Sequence, residues 1–265
     1  MITLLLALTA ITANLGSAVQ LRFPNESGVV SVEGEWQQKK IPFVRVKDEW
    51  VTFIGVDLDV KPGEYKADVS FKFTDGHTEK RGAVIDVQPT EYPTTQLTVE
   101  DKYVELNPRD LARANREAKE INVIYASTMK EMLWTTPFTI PIPAETSGRN
   151  FGHRRVFNGE PRAPHNGADL RAAMGTPIHS SNRGRVVLAK NLFFTGNTVI
   201  VDHGLGVILL YAHLSRIDVK AGQIVESGRV LGLSGATGRV TGPHLHWGLR
   251  IQGARVDPFA LVQMK

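Results

Sequence analysis

Thr241-Gly242-Pro243-His244-Leu245-His246 carries two histidines two positions apart. Side chains at i and i+2 of a β-strand share a face, so a strand here presents both imidazoles together. Upstream, His165-Asn166-Gly167-Ala168-Asp169 places a histidine and a carboxylate four apart. Gly167 stands between them and would let the backbone turn. Two histidines and a carboxylate converging on one point, with a fourth position open, make the donor set of a catalytic zinc centre. The candidate metal ligands are therefore His165, Asp169 and His246. His244, on the same strand face, is left for acid–base work.

The surrounding sequence reads as β-structure. Arg185-Val186-Val187-Leu188-Ala189 is a strand, as are Asn197 to Asp202 and Gly206 to His213, with His203-Gly204-Leu205 expected as the hairpin turn between them. Val219 to Val225 and Val230-Leu231-Gly232 follow, with glycines at the bends. The first half is also strand-like. Val29-Val30-Ser31-Val32, Phe43-Val44-Arg45-Val46 and Ala67 to Phe73 are β-branched or aromatic, the last with clear alternation. Turn signals at Pro62-Gly63 and Asp75-Gly76 punctuate them. Short strands at this spacing predict a small β-sandwich over 19–88.

Between the halves, Pro89 to Thr95 is a plausible boundary. Asn107-Pro108 supplies a helix cap and a proline at the first helical position, so a helix is expected from Arg109 to about Ile124. The organisation predicted is mainly β: a leader over 1–18, a sandwich-like accessory domain over 19–88, a connector with a helix over 89–134, and a metal-bearing antiparallel β-domain over 135–265. The leader rests on the uncharged Met1–Leu21 stretch, the apolar run Leu4-Leu5-Leu6-Ala7-Leu8 and the small residues Gly16-Ser17-Ala18. It predicts export to the periplasm or cell envelope.

The chain has 265 residues and no cysteine, which excludes disulfides and thiolate ligands; any metal must be held by His, Asp or Glu. The net charge of +4 is unevenly spread. From Thr135 onward there are 15 Lys and Arg against 7 Asp and Glu, twelve of the fifteen being arginine; the remainder carries 16 against 20. A basic half suggests an anionic partner surface. For an exported protein that surface is cell-wall polymer rather than nucleic acid.

Single histidines are more often structural than functional. His77 stands alone beside a turn and reads as a solvated loop residue, and His203 falls in the expected hairpin turn. His213 ends the apolar strand Ile208–Ala212 and, taken alone, would be a core histidine. With His244 it could instead flank a water on the metal, one taking its proton and both stabilising the oxyanion. There is no His-Glu-x-x-His, so the glutamate base of the usual zinc proteases is missing and the base role falls to histidine.

From Phe151 to Asp257 these residues resemble the lysostaphin/LytM family of zinc endopeptidases, which cut peptidoglycan peptides. The resemblance runs through Phe151-Gly152-His153-Arg154-Arg155, His165 to Asp169 and Ala173 to Ile178. It continues through Tyr211-Ala212-His213-Leu214 and Ser234 to Gly238, and closes on Gly242 to His246. It implies a small antiparallel β-fold with a groove and one zinc held by His165, Asp169 and His246. It also implies two catalytic histidines that are not ligands, His213 and His244, and a peptidoglycan peptide as substrate. Asn158 lies where some relatives carry an asparagine near the metal; a plain loop role is the alternative.

Two other readings compete. The glycine-bend pattern from Val219 to Gly232 is shared by lipoyl and biotinyl carrier domains, but no lysine flanked by methionines is present. A wall-binding protein or activator of other hydrolases, without activity of its own, would be marked by loss of a ligand, and none is lost.

Overall fold

The structure is a computed structural model describing residues 10–97, 106–127, 129–142, 148–157, 159–161 and 163–263. Eight strands form the first half: β1 (Ile11–Asn14), β2 (Ala18–Pro24), β3 (Val29–Trp36), β4 (Lys39–Pro42), β5 (Val44–Val46), β6 (Glu49–Gly55), β7 (Gly63–Phe73) and β8 (Thr78–Gln88). They make a five-stranded sheet, β1-β8-β7-β3-β4, facing a three-stranded sheet, β2-β6-β5. In β7 the alternate residues Ala67, Val69 and Phe71 are buried while Asp68 and Lys72 are exposed, as a half-buried strand requires. They meet Val19 and Leu21 of β2 and Trp50 and Ile54 of β6 in one apolar core, so the expected β-sandwich is present.

Its start differs from the expectation. Ile11–Asn14 pairs in parallel with Ile85–Gln88, and Ala13 is buried in the sandwich core. Gly16 and Ser17 exchange backbone hydrogen bonds with Val56. The stretch from Ile11 to Asn14, which falls inside the expected leader, is thus an edge strand of this sheet. Leu15-Gly16 make the tight turn between β1 and β2, closed by the Ser17 amide on the Asn14 carbonyl, with Gly16 at φ 74°; small residues at such a turn have the composition of a cleavage site. The apolar run Leu4–Leu8 lies outside the described residues.

The second half contains β9 (Thr94–Leu97), α1 (Pro108–Ala126), β10 (Arg154–Phe157), β11 (Glu160–Pro161), β12 (Gly167–Arg171), β13 (Pro177–His179), β14 (Gly184–Leu192), β15 (Gly196–Gly204), β16 (Val207–Leu214), β17 (Arg216–Ile217), β18 (Ile224–Val225), β19 (Val230–Leu233), β20 (His244–Ile251), β21 (Ala254–Val256) and α2 (Phe259–Gln263). The main sheet runs β12-β20-β16-β15-β14-β18, with β21 beside β20; β13-β19-β17 form a smaller sheet. No helix among the described residues is long and apolar enough to cross a membrane.

Helix α1 starts as its sequence predicts, with the Asp110 amide donating to the Asn107 side chain at 2.9 Å. Within the stretch expected as a connector, it packs against the second half. Ile121, Ile124 and Tyr125 pack on Leu188, Leu192, Ile200, Ile208, Leu210 and Ala212. The helix is also tied by Lys190–Glu120 at 2.5 Å and by the Phe193 amide donating to Glu117 at 2.6 Å. This explains why β16 is buried along its whole length. Val207, Leu209 and Tyr211 face the inner core and Ile208, Leu210 and Ala212 face the helix. A strand covered on both sides reads as a continuous apolar run. The connector is woven in similarly, since β9 pairs in parallel with β10.

The β15–β16 turn is shifted from its expected place. Leu205 (φ 51°) and Gly206 (φ 74°) make it, and His203 lies within β15, fully buried. Two successive positive-φ residues form the tight hairpin turn whose twist suits antiparallel strands. The two halves share an interface. Val51 and Phe53 of β6 join the inner core of the second half, with the Phe53 and Trp134 rings 5.5 Å apart. Gly55 permits the approach: a Cβ there would lie 2.8–2.9 Å from Ala254, Val256 and the Ile251 carbonyl. Arg255 is bonded by Asp57 and Asp59 across the same seam.

Candidate metal centre

β20 carries both a core and a site. Leu245, Trp247, Leu249 and Ile251 enter the inner core, so His244, His246, Gly248 and Arg250 occupy the outer face. On the neighbouring strand β12, Asp169 sits directly opposite His246, where cross-strand side chains are closest. His165 precedes β12 and folds over the pair. Gly167 has a different role from the one expected. It has no positive φ, and a Cβ there would lie 2.6 Å from the Trp247 carbonyl and 2.8 Å from the His246 ring. Glycine is needed so that strand and imidazole can touch, not for a turn.

Three donor atoms converge. His165 Nε2 is 3.1 Å from Asp169 Oδ1, His246 Nδ1 is 2.9 Å from the same oxygen, and the two nitrogens are 3.1 Å apart. A tetrahedral ion with bonds of about 2.0–2.1 Å spaces its ligands about 3.3–3.4 Å apart, so this near-equilateral triangle fits a small divalent ion after minor spreading. His165, Asp169 and His246 form the one such cluster found among the described residues.

The imidazoles are oriented by backbone carbonyls. His165 Nδ1 lies 3.0 Å from the Asn150 carbonyl, His213 Nδ1 2.9 Å from that of Thr237, and His244 Nδ1 2.9 Å from that of Gly242. A carbonyl only accepts, so each Nδ1 is the donor and each Nε2 keeps its lone pair. For His165 that lone pair belongs to the donor triangle. The His244 Nε2 lies 3.7 Å from Asp169 Oδ1. The His213 and His244 rings are 4.8 Å apart, and His213 is 6.0 Å from His246. The structure thus places all five expected histidine and aspartate residues in one site.

His213 reaches it through an unusual backbone. Regular alternation would send it into the core behind Leu209 and Tyr211. Its φ of 63° breaks the alternation, and its ring instead stands beside His244. Left-handed conformations of non-glycine residues concentrate at functional sites. Burial pushes the His213 imidazole down to about 4, so it stays neutral and able to accept a proton. Burial works to raise the Asp169 carboxyl, but the two imidazoles packed against it, His165 and His246, outweigh burial and hold the group far below its usual range. Burial also lowers His246, against the pull of Asp169.

One contributor escaped the sequence reading. Asn150 accepts from the Asp169 amide at 3.0 Å and donates to its Oδ2 at 3.1 Å, fixing the carboxylate from behind. Its position just before Phe151-Gly152 was the available signal. Asn158 lies outside the described residues. His77 is exposed and bound to Asp75, as a loop residue should be.

Comparison with known proteins agrees with this geometry. Residues 163–258 match the model described as Peptidase family M23. The chain is 48% identical over 109 residues to peptidoglycan DD-endopeptidase ShyA of Vibrio cholerae, covering 41% of this chain and 25% of that protein. It is 42% identical over 97 residues to DD-carboxypeptidase/endopeptidase Mpg of Neisseria meningitidis, covering 37% and 22%. The chain therefore spans about a quarter of the length of these curated relatives. A crystal structure of a protein from Pseudomonas aeruginosa, assigned to peptidase M23, superposes with a TM-score of 0.67 at 30% identity, covering 94% of each chain.

Proposed function

The chain belongs to peptidase family M23, and on that premise we propose that it is a zinc-dependent endopeptidase cleaving the peptide cross-links or stems of peptidoglycan. The observation that carries this reading is the triangle of His165, Asp169 and His246 donors with the Nε2 lone pairs of His213 and His244 beside it. Two imidazoles and a carboxylate suit zinc, and the three leave a fourth position open. Bound there, the metal supplies Lewis-acid polarisation of the scissile carbonyl and acidifies water.

The chain's own residues do the rest. His213, neutral and with its Nε2 unprotonated, accepts the proton of the attacking water. His244, held in the same tautomer by Gly242, stands across from it. Once protonated, either imidazole donates to the developing oxyanion and then to the leaving amine. Asn150 holds the Asp169 carboxylate so that one oxygen faces both ligand imidazoles. The complete residue set argues against a purely wall-binding or activating role. We further propose export to the periplasm or envelope, where the substrate is, with an anionic wall surface met by the basic second half.

Digestion of purified sacculi, followed by mass analysis of the released fragments, tests the reading. New amino and carboxyl ends at stem or cross-link peptides are expected. Intact sacculi and an intact soluble cross-linked peptide, with metal-loaded protein, would refute it.

A further inference from the structure

On the outer face of β20, His246, Gly248 and Arg250 follow one another. His246 and Arg250 are four residues apart on a strand, hence about 13 Å. Gly248 leaves the floor between them without a side chain. A groove of about 200 Å³ follows this line, with His246, Asn166 and Thr195 at one end and Tyr125 and Arg250 at the other. Past Arg250 it meets a second cavity of about 640 Å³, which Tyr125, Asn122 and Arg250 also line and to which the sandwich contributes Lys39 and Lys40. Lys39 Nζ reaches the Gln252 carbonyl at 3.4 Å, which fixes the sandwich edge beside the β20–β21 hairpin. The two cavities adjoin at Asn122, Tyr125 and Arg250, so the line that starts at the metal ligand His246 ends beside a cluster of three cations.

Arg250 is the informative member. It is partly buried, with its guanidinium 4.9 Å from the Tyr125 ring centroid. Its cross-strand neighbour is Arg255, and the nearby acids Asp57 and Asp59 bond Arg255. Among the described residues no carboxylate is ion-paired with Arg250, Lys39 or Lys40. The Arg250 guanidinium is hydrogen-bonded with the Tyr125 side chain and feels Asp57 only at a distance, so among the described residues its charge has no directly paired carboxylate, and at the end of a groove it is set to receive one from outside.

We propose that this pocket is a carboxylate subsite: Arg250, assisted by Lys39 and Lys40, binds a free carboxylate of the substrate peptide about four extended residues from the metal centre. The proposal rests on the endopeptidase reading for the identity of the peptide. It makes the sandwich a contributor to substrate selection, through the β4 lysines, rather than a separate targeting module. Stem peptides can offer a carboxylate from a side chain or from the chain terminus, and the test separates the two.

The probe is a stem tetrapeptide in four forms: both carboxyls free, the terminal one amidated, the side-chain one amidated, and both amidated. Each is titrated by calorimetry into full-length wild type, Arg250→Gln and the double variant Lys39→Gln/Lys40→Gln. Wild type should bind the free form roughly tenfold more tightly than the fully amidated one, the scale of a charge-assisted pair. Amidating the carboxyl that enters the pocket should remove this preference, and amidating the other should not. Arg250→Gln should abolish the preference while the fully amidated peptide binds unchanged. The double lysine variant, altered only at exposed positions, should reduce it roughly two- to fivefold. Equal binding of all four forms by wild type, or a preference that survives in folded Arg250→Gln, would overturn the proposal. Because binding is read without cleavage, inactivity toward sacculi would count against the hydrolase reading alone.

Discussion

His203 makes stability depend on acid through a group far from the metal. Its ring is fully buried in β15, its Nδ1 donates to the Arg183 carbonyl at 2.8 Å, and its Nε2 has no partner. The Phe138 ring lies 5.1 Å away. Protonating Nε2 would place an N–H and a full charge in an apolar pocket. Burial therefore lowers the folded-state pKa from 6.5 to about 4. A histidine shifted this way binds more protons unfolded than folded. Its contribution is complete above about pH 6.5 and is lost as pH falls through about 4. At about 1.36 kcal/mol per pH unit the whole effect is about 3.4 kcal/mol, of which about 2.5 kcal/mol has gone by pH 4.5. Urea unfolding of wild type and His203→Leu, each at about pH 7.5 and 4.5, reads it. Wild type should lose about 2.5 kcal/mol more than the variant on acidification, because every other titrating group is shared. Losses equal to within about 0.5 kcal/mol would refute the argument.

Four further outcomes are expected. His165→Ala or His246→Ala should lose bound metal, whereas His213→Ala should keep about one ion per chain and lose roughly 10²–10⁴-fold in activity; metal analysis beside a peptide-cleavage assay distinguishes them. Gly167→Ala should fold but bind metal at least tenfold more weakly, because its methyl displaces the His246 ring; competition with a chelator measures this. A chain beginning at Thr135 should aggregate or bind an apolar dye, since losing α1 bares Leu188, Ile200, Ile208 and Leu210, and one beginning at Asn107 should improve on it. A chain beginning at Val19 should be destabilised by about 2 kcal/mol or more in urea through loss of β1 and the Ala13 core contact.

Much of this could be read from local pattern. Alternation in Ala67–Phe73 marked its strand, the Asn107-Pro108 cap marked α1, and the His244/His246 spacing marked a shared face, because each signal repeats with the period of its own element. What was missed depended on contacts distant in sequence. Local pattern puts the hairpin turn at His203-Gly204-Leu205, yet Leu205-Gly206 does the turning. Gly167 looks like a bend in sequence, although its reason is a histidine 79 positions later. Gly16-Ser17-Ala18 has the composition of a processing site, yet it runs from a tight turn into the start of β2. The role of Asn150 exists only once Asp169 is folded against it. The placement of His213 depends on one left-handed residue, which no periodicity announces.

Strand β20 is a text read in two frames. Its odd-numbered letters, Leu245, Trp247, Leu249 and Ile251, spell the interior; its even-numbered letters, His244, His246, Gly248 and Arg250, spell the groove. A single-residue insertion or deletion before it would exchange the frames, turning indole toward the ion and imidazole into the hydrocarbon. Drift in such a segment is confined to replacements that keep parity. Catalyst and scaffold there must change together, and variation in substrate choice is displaced to the bordering pieces, α1 and the sandwich edge, which carry no such double meaning.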